Sequence, residues 1–388
     1  MIWNQKGRNV GLLLEIFFSF LVLFLVGSFI IYNYNFYRQN LGFDYEPIWT
    51  LNLDSKDASK EEIASVKTAV DRLLSQTPEV QSFAFTSGNM PYGNSTSMTT
   101  IKHQNRESNP HYFSVDSRFL ETMNIKIQDG RWLEEADKVQ KTRSIVITET
   151  LREELFGDEN PINQIILDDE GEAQYKVVGL IENFKSRGEF APANPGLFQI
   201  LHDSLDYAGL ALLKIQAGTS KLFEAKLQKQ LNQLAGNWSF RIAYMKEQRA
   251  DKLKETQVPI IILLTICGFL IFNVALGLFG VLWNNISKRK AEIGIRRALG
   301  STKSELSWQF IGEILVLSTF SILLGSFFAI QFPLLKVFNG EPFYIQNWVY
   351  LLAIVLSALL IYGLVIFCAF FPSRQAANLH PAIALHEE

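Results

Sequence analysis

Cysteine is scarce in this chain of 388 residues, with only Cys267 and Cys368. Both lie within long apolar runs, so neither is placed to form a structural disulfide, and a soluble domain must be stabilised by its own core. Catalytic signatures are also missing, since the sequence contains neither H-E-x-x-H nor G-x-S-x-G. His103, His111 and His202 are scattered without a partner at ligand spacing, which argues against a zinc site.

A phosphate-binding loop is missing too. Gly88–Ser95 (GNMPYGNS) has the G-x4-G spacing, but Asn94 stands where a lysine would contact the phosphates. Asp168–Gly171 (DDEG) is typical of a solvated hairpin turn rather than a paired-carboxylate site. The sequence therefore predicts a non-catalytic chain that binds no cofactor or metal itself. Any ATP dependence must come from another subunit, and no nucleic-acid partner is expected.

Charged residues are absent from four long apolar segments, at 16–32, 258–283, 314–332 and 348–371. A helix needs about 20 apolar residues to cross a bilayer, so these segments predict four membrane-spanning helices. The first could be a cleaved signal peptide, but no small-x-small cleavage site follows Tyr32. We therefore expect a retained anchor and a multi-pass protein of the cytoplasmic (inner) membrane.

Lysine and arginine gather on one side of these segments. Lys6 and Arg8 precede the first segment, Arg374 follows the fourth, and the connection between the third and fourth holds only Lys336. Six basic residues lie between the second and third segments: Lys288, Arg289, Lys290, Arg296, Arg297 and Lys303. The positive-inside rule then predicts that both termini and this basic connection face the cytoplasm, and that the large domain faces outward.

Two carboxylates lie in or beside the predicted spans. Glu15 and Glu313 each fall near the cytoplasmic end of a helix, where a charge costs less than at mid-bilayer. An interfacial or capping role accounts for either residue, and for Glu313 the alternative is an ion pair with a basic residue of the preceding loop. No charged residue falls at mid-bilayer, which gives little support to an ion-coupled carrier.

Between the first two spans, residues 42–245 have the composition of a soluble α+β domain. Residues 47–86 and a later stretch from Leu210 each read strand, helix, strand, and they flank a mixed, β-rich insert at about 90–205. The first helix predicts a buried face of Ile63, Val66, Val70, Leu73 and Leu74. The second predicts one of Leu222, Leu227, Leu231 and Leu234, with Gly236 ending the helix.

Polar stretches join this domain to the spans on both sides. Residues 1–41 hold the N-terminus, the first span and a short stalk, while residues 246–388 begin with a second stalk and contain the other three spans. Both stalks can continue the membrane helices outward. Pro259 argues for a break in the second one, because proline removes a helical hydrogen bond, and the sequence leaves this point open.

The basic connection, 284–305, contains an amphipathic pattern. Over KRKAEIGIRRALGS, residues 288–301, an apolar face at helical spacing comprises Ala291, Ile295, Ala298 and Leu299, while Ile293 and Arg297 project elsewhere. Glu292 and Arg296 are four residues apart in the favourable order for an ion pair. Gly300 fits the position after a helix end, and Thr302 with Glu305 predicts a capping box that starts the next helix.

Several stretches of the sequence resemble a known family. AEIGIRRALGS after a membrane helix, and the closing FPSRQAANLHPAIALHEE, resemble the signatures of MacB/FtsX-type ABC transporter permeases. In the outer domain FSVDSRFLETMNIKIQDGRWL, RSIVITETLREELFGDENPI and YKVVGLIENF look like the periplasmic core of the MacB-like branch. His380 departs from the acidic or amide residue that this family often has before Pro381.

The resemblance implies four transmembrane helices and a porter-like extracytoplasmic α+β domain with an inserted subdomain. It implies that the basic connection is a coupling helix that docks on a cytoplasmic ABC ATPase, which would hold ATP and Mg. The contact residues carried over by position are Glu292, Ile293, Gly294, Arg296, Arg297, Ala298, Leu299 and Gly300. About ten residues precede the first helix, so the ATPase is expected to be a separate chain.

Further partners implied are the lipid bilayer, a second permease copy or paralogue in a dimer, a periplasmic adaptor and an outer-membrane channel. Two functions within the family fit. One is export or extraction of a peptide, lipoprotein or small toxic compound; the other is FtsX-like mechanotransmission that activates a cell-wall hydrolase without transport. A membrane sensor, a third class, would need a cytoplasmic signalling domain, for which the tail of about 17 residues is too short.

Overall fold

The computed structural model describes residues 6–55, 58–93, 96–171, 173–202, 209–289, 292–293, 295–296, 299–335, 337 and 345–377. This described chain divides into two compact units. The sheet domain spans Phe36–Thr256, and the helical unit comprises the described residues up to Asn35 and from Gln257 onward. The predicted domain limits at residues 42 and 245 both lie inside the sheet domain.

Four long helices account for the apolar segments: α1 (Lys6–Tyr37), α6 (Met245–Lys288), α7 (Lys303–Leu334) and α8 (Asn347–Ala377). By length and composition, each is able to cross a membrane. Pro259 lies inside α6 rather than at a break. The point that the sequence left open is thus resolved in favour of a continuous helix, in which the proline removes the bond to one carbonyl without ending the helix.

Small and polar side chains set the packing inside the helical unit. Gly325 of α7 lies against the ring of Phe20 of α1, where an added Cβ would collide with the ring. The hydroxyls of Thr319 on α7 and Tyr362 on α8 are 3.0 Å apart. Close approach of backbones and hydroxyl pairs of this kind are what hold helices together in lipid, where burial of apolar surface provides little drive.

The two predicted strand–helix–strand units are present. They comprise β1 (Ile48–Ser55), α2 (Lys60–Ser75), β2 (Val80–Gly88), β11 (Leu210–Ile215), α5 (Lys221–Leu234) and β12 (Trp238–Tyr244). Their strands lie in the order β12-β1-β11-β2, with every neighbouring pair antiparallel. Each unit therefore has its two strands parallel with a strand of the other unit between them, which is the interleaved, ferredoxin-like arrangement.

Helices α2 and α5 bury one face each against this part of the sheet. On α2 the buried residues are Val66, Val70 and Leu74, as predicted, with Ile63 and Leu73 partly buried beside them. On α5 Leu227 and Leu231 are buried as predicted, but Phe223 is buried in place of Leu222, which is 82% exposed. Phe223 packs near Trp49, and because adjacent helix positions point about 100° apart, Leu222 then faces out.

Leu234, at the end of α5, is likewise more exposed than predicted. The helix ends at this residue, with Ala235 in an extended conformation as its cap. Gly236 therefore does not provide the left-handed cap that the sequence suggested. Leu234 therefore lies at the end of the buried face rather than within it.

The middle of the domain is mixed and rich in strands. Its elements are β3 (Ile101–His103), β4 (Arg106–Ser108), β5 (His111–Val115), α3 (Phe119–Met123), β6 (Ile127–Gly130), a 3-10 helix (Glu135–Val139), β7 (Arg143–Thr148), α4 (Glu149–Leu155), β8 (Ile165–Asp168), β9 (Gln174–Ile181) and β10 (Gly196–Ile200). Gly130 and Gly157 have φ of +72° and +63°, and Gly171, in the predicted hairpin turn, has φ of +76°. Positive φ favours glycine at all three.

This middle part does not form a sheet of its own. The strand order continues without interruption as β2-β5-β10-β7-β9-β8-β3-β4, with β6 also on β9. The junction is an antiparallel pairing in which Thr86 lies opposite Val115. The inserted segment thus extends the same sheet, which now has 12 strands in the described chain, and only its local composition marks it as an insert.

Aromatic rings fill the core at this junction. Phe113 of β5 stacks on Phe198 of β10 with ring centroids 4.6 Å apart, and Phe184 packs edge-on to Phe198 at 5.2 Å. Phe43, which follows α1, lies 4.8 Å from Phe184. Each such pair contributes about 0.5–1.5 kcal/mol beyond its buried area. The cluster therefore joins the chain after α1, the sheet and the loop after β9.

A buried histidine lies at the start of β5. His111 is 6% exposed, and its backbone N–H donates to the Pro195 carbonyl at 2.8 Å. Burial, reinforced by the positive charge of Arg187, lowers the pKa of its imidazole to about 4. Between about pH 6.5 and pH 4 the unfolded chain therefore binds a proton that the folded chain does not, and the folded state loses stability as the pH falls.

We predict that this residue makes the sheet domain acid-sensitive. For the wild-type chain, His111 should lower the free energy of unfolding by about 2 kcal/mol between pH 7 and pH 5. Urea unfolding of the full chain in detergent, followed by near-ultraviolet circular dichroism, measures this change. His111→Gln should show a correspondingly shallower pH dependence, with His103→Gln as the control. Equal slopes for His111→Gln and the wild type would contradict the prediction.

Candidate functional site

The basic segment, residues 288–301, follows directly on α6. Its described residues make helical hydrogen bonds: Ile293 N–H donates to Arg289 O at 2.9 Å and Leu299 N–H to Ile295 O at 3.0 Å. Ser301 N–H then bonds back to Arg296 O at 3.0 Å, and Gly300 has φ of +98°. This is the glycine-dependent helix ending that the sequence predicted. Of the predicted site residues, Gly294, Arg297 and Ala298 lie outside the described residues.

A capping box starts α7 immediately afterwards. The Thr302 hydroxyl accepts from Glu305 N–H at 3.3 Å, and the Glu305 carboxylate accepts from Thr302 N–H at 3.0 Å. Both predicted partners are therefore in place, and each satisfies a donor that a helix start leaves free. The basic segment consequently ends at a defined turn, and the chain direction into α7 is fixed.

Two polar contacts attach the basic segment to the side of α7. Arg289 donates through Nη1 to both carboxylate oxygens of Glu313, at 3.1 Å and 2.9 Å. The sequence left open whether Glu313 pairs with a basic residue of this loop, and the structure identifies Arg289 as that residue. Further along, Arg296 donates to Gln309 on α7 and to Glu292 in its own segment, each at 2.6 Å. The predicted Glu292–Arg296 ion pair is therefore present.

An apolar contact lies between these two polar ones. Ile293 is only 2% exposed and clusters with Leu306 and Phe310 of α7. Ile293 belongs to the predicted contact set, but its side chain is buried against α7 and so is not available to a partner protein. Among the described residues of the segment, the exposed apolar side chains are those of Ile295, 50% exposed, and Leu299, 83% exposed.

The supporting residues on α7 were missed by sequence reasoning. Leu306 and Phe310 are four residues apart, and Gln309 lies between them, so one turn of α7 provides both the apolar and the polar contact. The four-residue spacing can be read from the sequence. It does not distinguish these residues, however, from the rest of the amphipathic run that leads into a membrane span. The one available signal was Ile293, whose projection away from the predicted face required a partner of its own.

The other membrane carboxylate lies between two helices. A Cβ added at Gly277 of α6 would lie 2.7 Å from the nearer carboxylate oxygen of Glu15 of α1. The absence of a side chain at Gly277 therefore makes room for Glu15. In the described part of the chain, no group of three or more His, Cys, Asp or Glu is arranged to hold a metal ion.

Comparison with known proteins finds two family models that match along the chain. The model of the MacB-like periplasmic core domain matches residues 19–221, just over half of the chain. The chain belongs to the MacB/FtsX-type family of ABC transporter permeases. The model of the FtsX-like permease C-terminal region matches residues 264–381, which include the basic segment and α7. The protein is thus a four-span, multi-pass membrane permease with a large sheet domain of the periplasmic-core type.

Curated relatives within the family are distant. The chain is 23% identical over 343 residues to "Macrolide export ATP-binding/permease protein MacB 1/2" of Paracoccus denitrificans, covering 86% of this chain and 49% of that protein. It is 24% identical over 303 residues to "Uncharacterized ABC transporter permease YknZ" of Bacillus subtilis, covering 76% of this chain and 74% of that protein. The chain thus spans about half the length of the MacB relative.

Among solved structures, the periplasmic region of MacB from Actinobacillus actinomycetemcomitans aligns with a TM-score of 0.39 and 17% identity. The alignment covers 57% of this chain and 96% of that one. The extracellular domain of YknZ, an ABC-type transporter from Gram-positive bacteria, aligns with a TM-score of 0.36 and 13% identity, over 50% of this chain and 99% of that one.

We predict that the Arg289–Glu313 pair orders the basic segment. Both side chains are partly exposed, so the pair should be worth about 0.5–1 kcal/mol. Arg289→Met or Glu313→Gln should therefore raise amide exchange at Ile293 and Leu299 about two- to five-fold. Exchange of the full chain in lipid nanodiscs, followed by mass spectrometry, measures this rise.

The control for this prediction is Lys288→Met, which removes an equal charge one residue away and leaves the pair intact. The double variant Arg289→Glu with Glu313→Arg should recover most of the protection, since it restores an ion pair of opposite polarity. If Lys288→Met raises exchange as much as Arg289→Met does, net charge and not the pair orders the segment.

Proposed function

We propose that this chain is the permease subunit of a MacB-like ABC transporter, and that its basic segment is the contact for a cytoplasmic ABC ATPase. The observation that carries the proposal is the pairing of anchorage and exposure in this segment. Three contacts hold it to α7, through Arg289, Ile293 and Arg296. Leu299, at its tip, leaves 83% of its surface uncovered. Exposed apolar side chains on a held element are suited to a partner's groove.

The attachment to α7 would allow a force applied to the basic segment to be transmitted to that helix. A push on Leu299 or Ile295 acts on a segment that is tied to Glu313 and Gln309 at two levels of α7. The segment would then move with α7 and not bend away from it. ATP and Mg would be bound by the ATPase, and this chain would contribute no catalytic group.

Orientation follows from the basic residues. The six lysines and arginines between the apolar segments 258–283 and 314–332, together with Lys6, Arg8 and Arg374, favour a cytoplasmic location for both termini and for the basic segment. The sheet domain then lies on the outer side of the inner membrane. We propose further that two permease copies or paralogues assemble, with a periplasmic adaptor and an outer-membrane channel as candidate partners.

Two candidate functions are supported by different matches along the chain. The relatives named as macrolide exporters, and the match to the MacB-like core over residues 19–221, favour export or extraction of a peptide, lipoprotein or small toxic compound. The match to the FtsX-like C-terminal region favours no particular cargo, and the second candidate is mechanotransmission that activates a cell-wall hydrolase. Reconstituted complex that activates a hydrolase without moving any compound would support that alternative.

We predict that Leu299→Asp weakens association with the cognate ABC ATPase. A carboxylate placed in an apolar groove loses its hydration without gaining a partner, so affinity should fall at least ten-fold. Pull-down of the co-expressed ATPase by the tagged full chain in detergent, with ATP hydrolysis as a second readout, measures the loss.

Leu222→Asp provides a matched control. Leu222 is 82% exposed on α5 of the sheet domain, so the same substitution is made at the same degree of exposure on the other unit. It should leave association unchanged. If Leu299→Asp, alone or with Arg296→Glu, retains wild-type association and stimulated ATP hydrolysis, the basic segment is not the coupling contact.

A further inference from the structure

A short loop of the sheet domain contacts both helices that connect this domain to the rest of the chain. The 183–190 loop (NFKSRGEF) follows β9, and Phe184 anchors it in the aromatic core. Ring centroids of Phe43, Phe113 and Phe198 lie 4.8, 5.3 and 5.2 Å from that of Phe184. The loop therefore cannot shift without disturbing well-packed rings.

Lys185 fastens this loop to the end of α1. Its side chain is almost wholly buried, with 1% of the residue exposed, and Nζ donates to the carbonyl of Phe36 at 2.7 Å. Phe36 lies in the last turn of α1, where the helix dipole favours a positive charge, and its carbonyl also accepts from Gln39 N–H at 3.0 Å. The backbone N–H of Lys185 also donates to Leu41 O at 2.9 Å, just after the helix.

The side-chain amine of Lys185 also contacts the second half of the loop. Lys185 Nζ donates to the backbone carbonyl of Glu189 at 2.7 Å. Burial lowers the pKa of Lys185 to about 8, while the Glu189 carboxylate acts in the opposite direction. Losing either carbonyl would leave a buried N–H unpaired, at a cost of about 1–3 kcal/mol. One nitrogen therefore links the end of α1 to the second half of the loop.

Glu189 fastens the loop to α6. Its carboxylate is 6% exposed and accepts from Nε of Arg249, and the Arg249 guanidinium lies 4.4 Å from the ring centre of Tyr45. Gly188, with φ of +95°, lets the ring of Tyr92 approach so closely that an added Cβ would lie 3.3 Å from it. Removing one partner of a buried ion pair strongly destabilises the folded protein, because the other charge remains buried without compensation.

We propose that the 183–190 loop makes the end of α1 and the beginning of α6 one cooperative unit, through the chain of contacts Phe36–Lys185–Glu189–Arg249. A perturbation at either helix then reaches the other through two residues of the loop. The inference concerns the sheet domain alone and does not depend on the ATPase contact. It assigns positioning roles to Lys185, Glu189 and Arg249 that composition and motif analysis did not suggest.

The proposal makes a prediction about helices that the substituted residue does not touch. Arg249→Met removes a contact of α6, yet it should raise amide exchange in residues 36–43 about five- to ten-fold. Lys185→Met removes a contact of α1, yet it should raise exchange in residues 245–256 by a similar factor. Hydrogen–deuterium exchange of the full chain in lipid nanodiscs, resolved by mass spectrometry, measures both peptides in one experiment.

Arg131→Met is the matched control. Arg131 pairs with Asp137 at 2.7 Å, and that carboxylate is fully buried while the arginine is partly exposed, as in the Arg249–Glu189 pair. It lies away from the 183–190 loop in sequence and should leave both peptides unchanged. Glu189→Gln, which keeps the side-chain shape and removes the charge, should reproduce the effect of Arg249→Met in a milder form.

Two outcomes would overturn the proposal. If each substitution raises exchange only in the helix that it touches, the contacts are local and no coupling exists. If Glu189→Gln raises exchange equally in β7, residues 143–148, the change is a loss of overall stability and not a transmitted one. A rise in both peptides with β7 unchanged is the expected result.

Discussion

The antiparallel pairing of β2 with β5 is the contact on which the sheet domain depends. β2 bonds to β11 on one edge and to β5 on the other, so one strand joins the ferredoxin-like half to the inserted half. Phe113 of β5 and Phe198 of β10 then form the ring stack that receives Phe184, and the 183–190 loop takes its position from that ring. A sheet edge at β2 would have left those aromatic residues without a common core.

Local patterns were enough to predict the four long helices and the two strand–helix–strand units. Charge-free runs predicted the four spans, hydrophobic periodicity predicted the two units, and Thr302 with Glu305 predicted the start of α7, because each of these depends on residues close in sequence. What could not be predicted was non-local pairing. Nothing in Thr86 or Val115 announces that they lie opposite each other, and an insert flanked by two similar units suggested a separate subdomain where the structure has one sheet.

The errors in side-chain direction have a common origin. In α5 the sequence offered two adjacent apolar residues, and Phe223 faces inward because Trp49 lies near it, which helical spacing cannot reveal. In the basic segment Ile293 projects away from the apolar face as predicted, but it was also assigned to the partner-contact set, and Leu306 and Phe310 bury it. In both places the helix was predicted correctly, and the partner that selects its buried face comes from a distant element. Tertiary contact, not periodicity, decides between neighbouring apolar positions.

The pairing of β1 with β12 has an evolutionary consequence. β1 follows α1 and β12 runs directly into α6, and the two strands lie side by side, with Trp49 opposite Tyr244. The first and last strands of the domain are therefore about 5 Å apart at this point, the separation of paired residues in an antiparallel sheet. A domain connected in this way can be gained, lost or exchanged as a single insertion between two helices, because any replacement needs only to return the chain to the point where it left.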